Sequence, residues 1–180
     1  MVPVPEGFFL MGGEEGQENE RPVHRVWLDA FAIGKFPLSN REYRIFVEES
    51  GTAEPPFWSE EMYSHSDKPV VGPNWYDAIA YCDWLSKRTG NRFRLPSEAE
   101  WERAARGGKE GKKYPWGDEP PSERPFAGYD LERGGPQRVG LNEPNGFGLY
   151  DMSEGVHEWC SDYYDSDYYR YSPERNPQGP

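Results

Sequence analysis

Along residues 1 to 38 apolar and polar positions alternate around Phe8, Leu10, Val26, Leu28, Phe31 and Ile33, with an acidic, Gly-rich insert from Gly12 to Glu20 between them. A period of two puts successive side chains on opposite faces, so this stretch reads as strands joined by a loop. The period then lengthens to that of a helix. Tyr43, Phe46 and Val47 form the core face of a first helix, which Ser39 or Asn40 can cap and Gly51 ends. After a Pro-rich aromatic loop and the Pro69-Val-Val71 run, Trp75, Ala78, Ile79, Cys82 and Leu85 repeat at helical spacing up to Gly90. A third helix announces itself by its cap. Ser97 and Glu100 stand three apart, as in a capping box, and Trp101, Ala104 and Ala105 form the inner face before Gly107 and Gly108 stop it.

Beyond that helix no period is sustained, and Tyr114 to Cys160 reads as an ordered loop region with short strands at most. The tail from Ser161 alternates Asp and Tyr, and Asp162, Asp165 and Asp167 read as a solvated acidic face. There are no internal repeats, and 180 residues make a single domain, 1–180, large enough to bury a core. Composition shifts the expected core away from aliphatic packing. Only 35% of residues are hydrophobic but 16% are aromatic, so Trp, Tyr and Phe must supply much of the buried area; 20 Gly and 18 Pro imply many turns. Trp58 and Tyr63, in the Pro-rich loop, are candidates to line a groove for a peptide or a sugar.

A net charge of −12 opposes a polyanionic partner, because nucleic-acid binding draws on Lys and Arg neutralising phosphates. No apolar run approaches the length of a membrane span, and the first residues lack the basic and apolar regions of a signal peptide, so the expectation is a cytoplasmic chain with no membrane partner. Cys82 and Cys160 are too few for a disulfide framework and fall in no metal-ligand spacing; both read as packing residues, and a bridge between them stays open. His24, His65 and His157 lie in separate segments with no triad partner nearby in sequence. His24 is expected to bond a backbone group near the acidic loop, and His65 to be exposed.

The stretch from Asn145 to Cys160 concentrates the chemistry. Asp151 and Glu158 flank Gly155, which allows a sharp or left-handed turn that would aim intervening carbonyls at a shared point. Such a point suits a calcium ion, which collects oxygens from carboxylates and backbone carbonyls. The candidate ligands are Asp151 and Glu158 by side chain and Glu154 and Val156 by carbonyl. The alternative on spacing alone is that Asp151 caps a turn and Glu158 is a surface charge.

This same stretch resembles the Gly-Leu-Tyr-Asp-Met-x-Gly-Asn-Val-Trp-Glu-Trp signature of the formylglycine-generating enzyme family, the sulfatase-modifying factors. Other segments agree in the family's order: Phe9 to Gly12, Glu20 to His24, Pro37 to Asn40 with Tyr43 and Phe46, Trp75 to Trp84, Arg94 to Gly108 and Tyr114 to Gly117. The resemblance implies an α+β, C-type-lectin-like fold, loop-rich with about three helices and short strands. It also implies an oxidase that converts a sulfatase cysteine to formylglycine on copper(I) held by two cysteine thiolates, in a segment that follows an Arg-Gly-Gly-Ser motif.

Neither Cys82 nor Cys160 matches those thiolates, so no catalytic residue is carried over, and copper is expected only if such a segment is supplied. The calcium loop transfers better: Asp151, Glu154, Val156 and Glu158 match the family's ligands, while Gly155 and His157 depart from its usual Asn and Trp. A second family calcium site is poorly matched at Gly128 and Tyr129 and is not expected. The reading is therefore a calcium-stabilised scaffold or binding module for a peptide or protein ligand, catalytically incomplete as this chain. The alternative is the N-terminal portion of a copper-dependent oxidase.

Overall fold

The computed structural model describes residues 1–123, 129–130, 135–153 and 155–180. Strands β1 (Val2–Val4) and β4 (Phe31–Ile33) pair antiparallel and enclose the antiparallel hairpin of β2 (Gly7–Met11) and β3 (His24–Leu28). On its free edge β3 takes up the tail: the Trp27 N–H donates to the Glu174 carbonyl at 2.6 Å, and the Asn176 N–H to the Trp27 carbonyl at 2.8 Å. A last short pair, β5 (Tyr129–Asp130) with β6 (Gly135–Pro136), lies in the loop region.

The register of the hairpin corrects the sequence reading. Phe9, Met11, Val26 and Leu28 are buried, whereas Phe8 and Leu10 are each 41% exposed. Phe9 faces Val26 across the ladder, and Phe8 faces Trp27 on the outer side. Since Gly7 to Met11 contains no polar residue, the strand offers two apolar faces and cannot choose between them by itself.

Three helices follow as expected, and their ends are set by local chemistry. Helix α1 (Asn40–Ser50) starts at a capping box of Ser39 and Glu42, α2 (Trp75–Thr89) at one of Asn74 and Asp77, and α3 (Glu98–Arg106) at one of Ser97 and Glu100. Each closes on a left-handed glycine, Gly51, Gly90 or Gly107. The core faces are less regular. In α1, Tyr43 and Phe46 are buried and pack with Trp58, while α2 contributes half-buried Tyr81 and Trp84 to the same cluster. Trp58, expected to line an open groove, is 5% exposed: its indole N–H donates to Asn40 Oδ1 at 2.6 Å, and Arg44 covers its face. Tyr63 is half-buried.

Helix α3 is the hub. Ala99 packs against the hairpin with Tyr168 and Tyr169, and Ala104 and Ala105 pack against Val4, Leu149 and Met152. Small side chains there let backbones approach closely. Buried Arg103 donates to the carbonyls of Pro5 and Gly7, and Arg106 pairs with Glu102 while donating to the Gly12 carbonyl. No helix among the described residues is long and apolar enough to cross a membrane.

A candidate cation site between the Asn145–Trp159 loop and α3

The loop is anchored at Asn145, whose side chain works in both directions. Its Nδ2 donates to the Ala104 and Ala105 carbonyls at the end of α3, and its Oδ1 accepts from the Phe147 and Leu149 amides. The two segments touch so closely that a Cβ on Gly146 would lie 2.2 Å from the Gly107 carbonyl oxygen. Glycine is required at that contact. Leu149 and Met152 then plug the loop into the core beside α3.

Asp151 adopts a left-handed conformation, φ 58, where few L-residues other than Asn and Asp are at ease. Its Oδ2 accepts the Gly140 amide at 2.6 Å and its Oδ1 the Asn142 side chain at 3.0 Å. Gly155 turns the chain with φ 88, as the sequence leads one to expect. Glu158 follows three residues later. Although the residue as a whole is exposed, its carboxylate is crowded by neighbouring atoms, and Oε2 accepts the Trp101 indole N–H at 2.6 Å. Burial pushes the Glu158 carboxyl above its ordinary pKa; the Trp101 N–H opposes the rise and the Asp151 charge adds to it. Val156 is half-buried, and Glu154 lies outside the described residues, as does Gly128 of the second family site.

Two of the four expected ligands thus carry like charges within electrostatic reach of one another. Their hydrogen-bond partners among the described residues are neutral N–H donors, a setting that could hold a hard divalent cation. Among the described residues no three His, Cys, Asp or Glu side chains cluster as a metal site. Asn142 and Trp101, which position the two carboxylates, escaped sequence reasoning. Asn145 carried the signal of an Asn-Gly turn, but nothing in sequence paired Trp101 with a residue 57 positions away.

Beside Asp151 a partly open cavity of about 180 Å³ is lined by Lys109, Trp116, Asn142, Glu143 and Met152, among others. On the far side of the loop Trp159 is half exposed, its N–H spent on the Pro73 carbonyl, and the Trp75 N–H holds the Cys160 carbonyl.

The remaining sequence-flagged groups are scattered. Cys82 and Cys160 are free, half-buried thiols. Burial pushes Cys82 up to about 11, with Asp83 adding to the rise. Burial likewise pushes Cys160 up to about 12, with Asp162, Glu98, Glu158 and Glu100 adding to it. His24 does bond a backbone group, with Nδ1 at 3.0 Å from the Pro22 carbonyl, and His65 is exposed. Asp162 departs from the expected solvated face: it is half-buried and accepts the Glu98 amide at the start of α3.

A loop-rich α+β domain with an Asn-Gly-anchored aromatic loop locked to its third helix is a recognisable class. PvdO from Pseudomonas aeruginosa has the same fold, with a TM-score of 0.81 and 29% identity over 97% of this chain and 74% of its own. Residues 1–179 match the sulfatase-modifying factor enzyme 1-like domain, and the chain belongs to that family. It is 33% identical over 241 residues to a formylglycine-generating enzyme of Thermomonospora curvata, covering all of this chain and 78% of that protein. It is also 35% identical over 200 residues to a protein named serine/threonine-protein kinase pkn1 in Chlamydia pneumoniae. That match takes in all of this chain but 30% of the kinase-named protein, so the chain spans less than a third of that relative's length.

Proposed function

We propose that this member of the sulfatase-modifying factor family is a calcium-stabilised binding module for a peptide or protein ligand, with no catalytic role for the residues of this chain. The observation that carries the reading is that two carboxylates on either side of a glycine turn, Asp151 and Glu158, have neutral N–H groups as their partners, with the Asp151 charge adding to the raised Glu158 pKa. A calcium ion would offset the two like charges and draw in the Val156 and Glu154 carbonyls.

The reading as part of a copper-dependent oxidase draws on the identity with formylglycine-generating enzymes. Copper(I) there needs thiolates. Cys82 and Cys160 both have raised pKa values, set by burial, which argues against either as a ready thiolate.

The test is thermal unfolding of the purified chain with calcium and with a chelator. At calcium about a hundredfold above Kd the native state gains roughly 2.7 kcal/mol, so the melting temperature rises by several degrees, and Asp151→Ala abolishes the rise. A melting temperature indifferent to chelator removes calcium from the proposal. Formation of an aldehyde on a Cys-x-Pro-x-Arg peptide by the copper-loaded chain refutes the absence of catalysis.

A further inference from the structure

Beside the N-terminal end of α1 lies a contact that the described protein groups do not satisfy. The Asp67 amide donates to His65 Nδ1 at 3.1 Å, and Arg138 Nη2 lies 3.0 Å from His65 Nε2. A guanidinium nitrogen is always a donor. A neutral imidazole has one lone pair and one N–H, so with Nδ1 accepting from Asp67, Nε2 must carry the hydrogen and point it at another donor. The alternative tautomer turns the clash around to the Asp67 amide. In either form two donors face each other.

We propose that His65 and Arg138 form a binding site for a tetrahedral oxyanion, a phosphate or sulfate group, accepted jointly by the His65 Nε2–H and the Arg138 guanidinium. One negatively charged oxygen group placed against both would turn the donor–donor contact into two charge-assisted hydrogen bonds.

The frame that holds the pair is rigid. Asn40, 1% exposed, donates to the carbonyls of both Tyr63 and His65 and accepts the Trp58 indole, which fixes the histidine's backbone on the start of α1. Arg138 is held through its neighbour, since the Val139 amide donates to the Asp67 carbonyl. A pre-set pair loses little freedom on binding.

Charge agrees with an anion. Arg41 lies 3.3 Å from Asp67 and is paired there, whereas no carboxylate among the described residues pairs with Arg138. The first amides of α1 are not available as additional donors, because Asn40 and Arg41 donate theirs to the carbonyls of Lys68 and Ser66. The ligand is therefore read by side chains. The site is independent of calcium and shares no residue with the candidate cation site.

The experiment is an NMR titration of the 180-residue chain, following the His65 ring and the Arg138 guanidinium. Sodium phosphate, sodium sulfate and phosphoserine are each compared with sodium chloride at equal ionic strength. Saturable shifts at both side chains with phosphate or sulfate, absent with chloride, are expected. Arg138→Gln should weaken the apparent affinity by about tenfold or more, and Arg138→Lys should restore part of it. Response to the inorganic ions alone makes this a free-anion site, and response to phosphoserine as well makes it a site for an ester-borne group; both sustain the proposal. Shifts no larger than those with chloride, or an Arg138→Gln chain that binds as the parent does, overturn it. Both side chains are exposed, so the variants should retain the parent's remaining spectrum, which checks that they fold.

Discussion

The hub around α3 and the loop from Asn145 to Trp159 are packed against each other and settle their polar groups in different ways. In the hub opposite charges or carbonyls meet each cation. Arg94 grips Glu100 with two bonds of 2.6 Å, Arg106 holds Glu102, and Arg103 reaches two backbone carbonyls of the hairpin approach. In the loop two carboxylates of like charge are held by neutral donors. Groups that satisfy each other internally make stability that does not depend on a bound ion. Groups that do not are sensitive to what the solution supplies.

The largest effect should come from breaking the hub. Arg103→Met removes the donors to Pro5 and Gly7 and leaves those carbonyls without them in a buried setting. A loss of about 3 kcal/mol is expected in urea unfolding, the same with calcium or chelator. A loss that calcium reverses would show that hub and loop are not separate.

Next in size is a change of sign in the loop. Glu158→Gln removes one of two like charges but keeps an acceptor for Trp101, so it should raise the melting temperature in chelator and lower it in saturating calcium. The difference between the two conditions should shrink by up to about 2.7 kcal/mol. Destabilisation of equal size in both conditions would make Glu158 a simple packing and hydrogen-bonding residue.

A smaller effect tests the cap that starts the hub. Ser97→Ala deletes the acceptor for the Glu100 amide and should cost about 1 kcal/mol, read as a lower urea midpoint with unchanged slope.

The smallest effect is a pH slope at the seam of the two regions. Burial raises the Glu98 pKa, the Tyr169 hydroxyl opposes the rise, and the Asp162 and Glu102 charges add to it. A carboxyl raised on folding contributes stability that is fully present below its unfolded pKa and lost as pH rises through the folded one. Glu98→Gln should therefore flatten the decline of stability above about pH 4.5, the usual Glu range. An unchanged slope would shift responsibility to Asp162, which burial also raises.

What the sequence determined by itself is local. Ser39, Ser97 and the glycines at 51, 90 and 107 fix helix ends, because a cap needs only its own next three residues. Gly155 and the flanking carboxylates marked the loop, and the aromatic content foretold the kind of core. The tertiary structure decided whatever joins distant segments. Gly7 to Met11 is apolar on both faces, so only the docking of α3 chose Phe9 and Met11 for the interior over Phe8 and Leu10. Trp58 sits in an exposed-looking Pro-rich loop, yet Asn40 draws it into the core. The same holds for the sites. Trp101 meets Glu158, and Arg138 meets His65 across 73 residues of chain. A hydrogen bond depends on position in space to within a fraction of an ångström, and spacing along a chain carries that information only inside one turn or one helix.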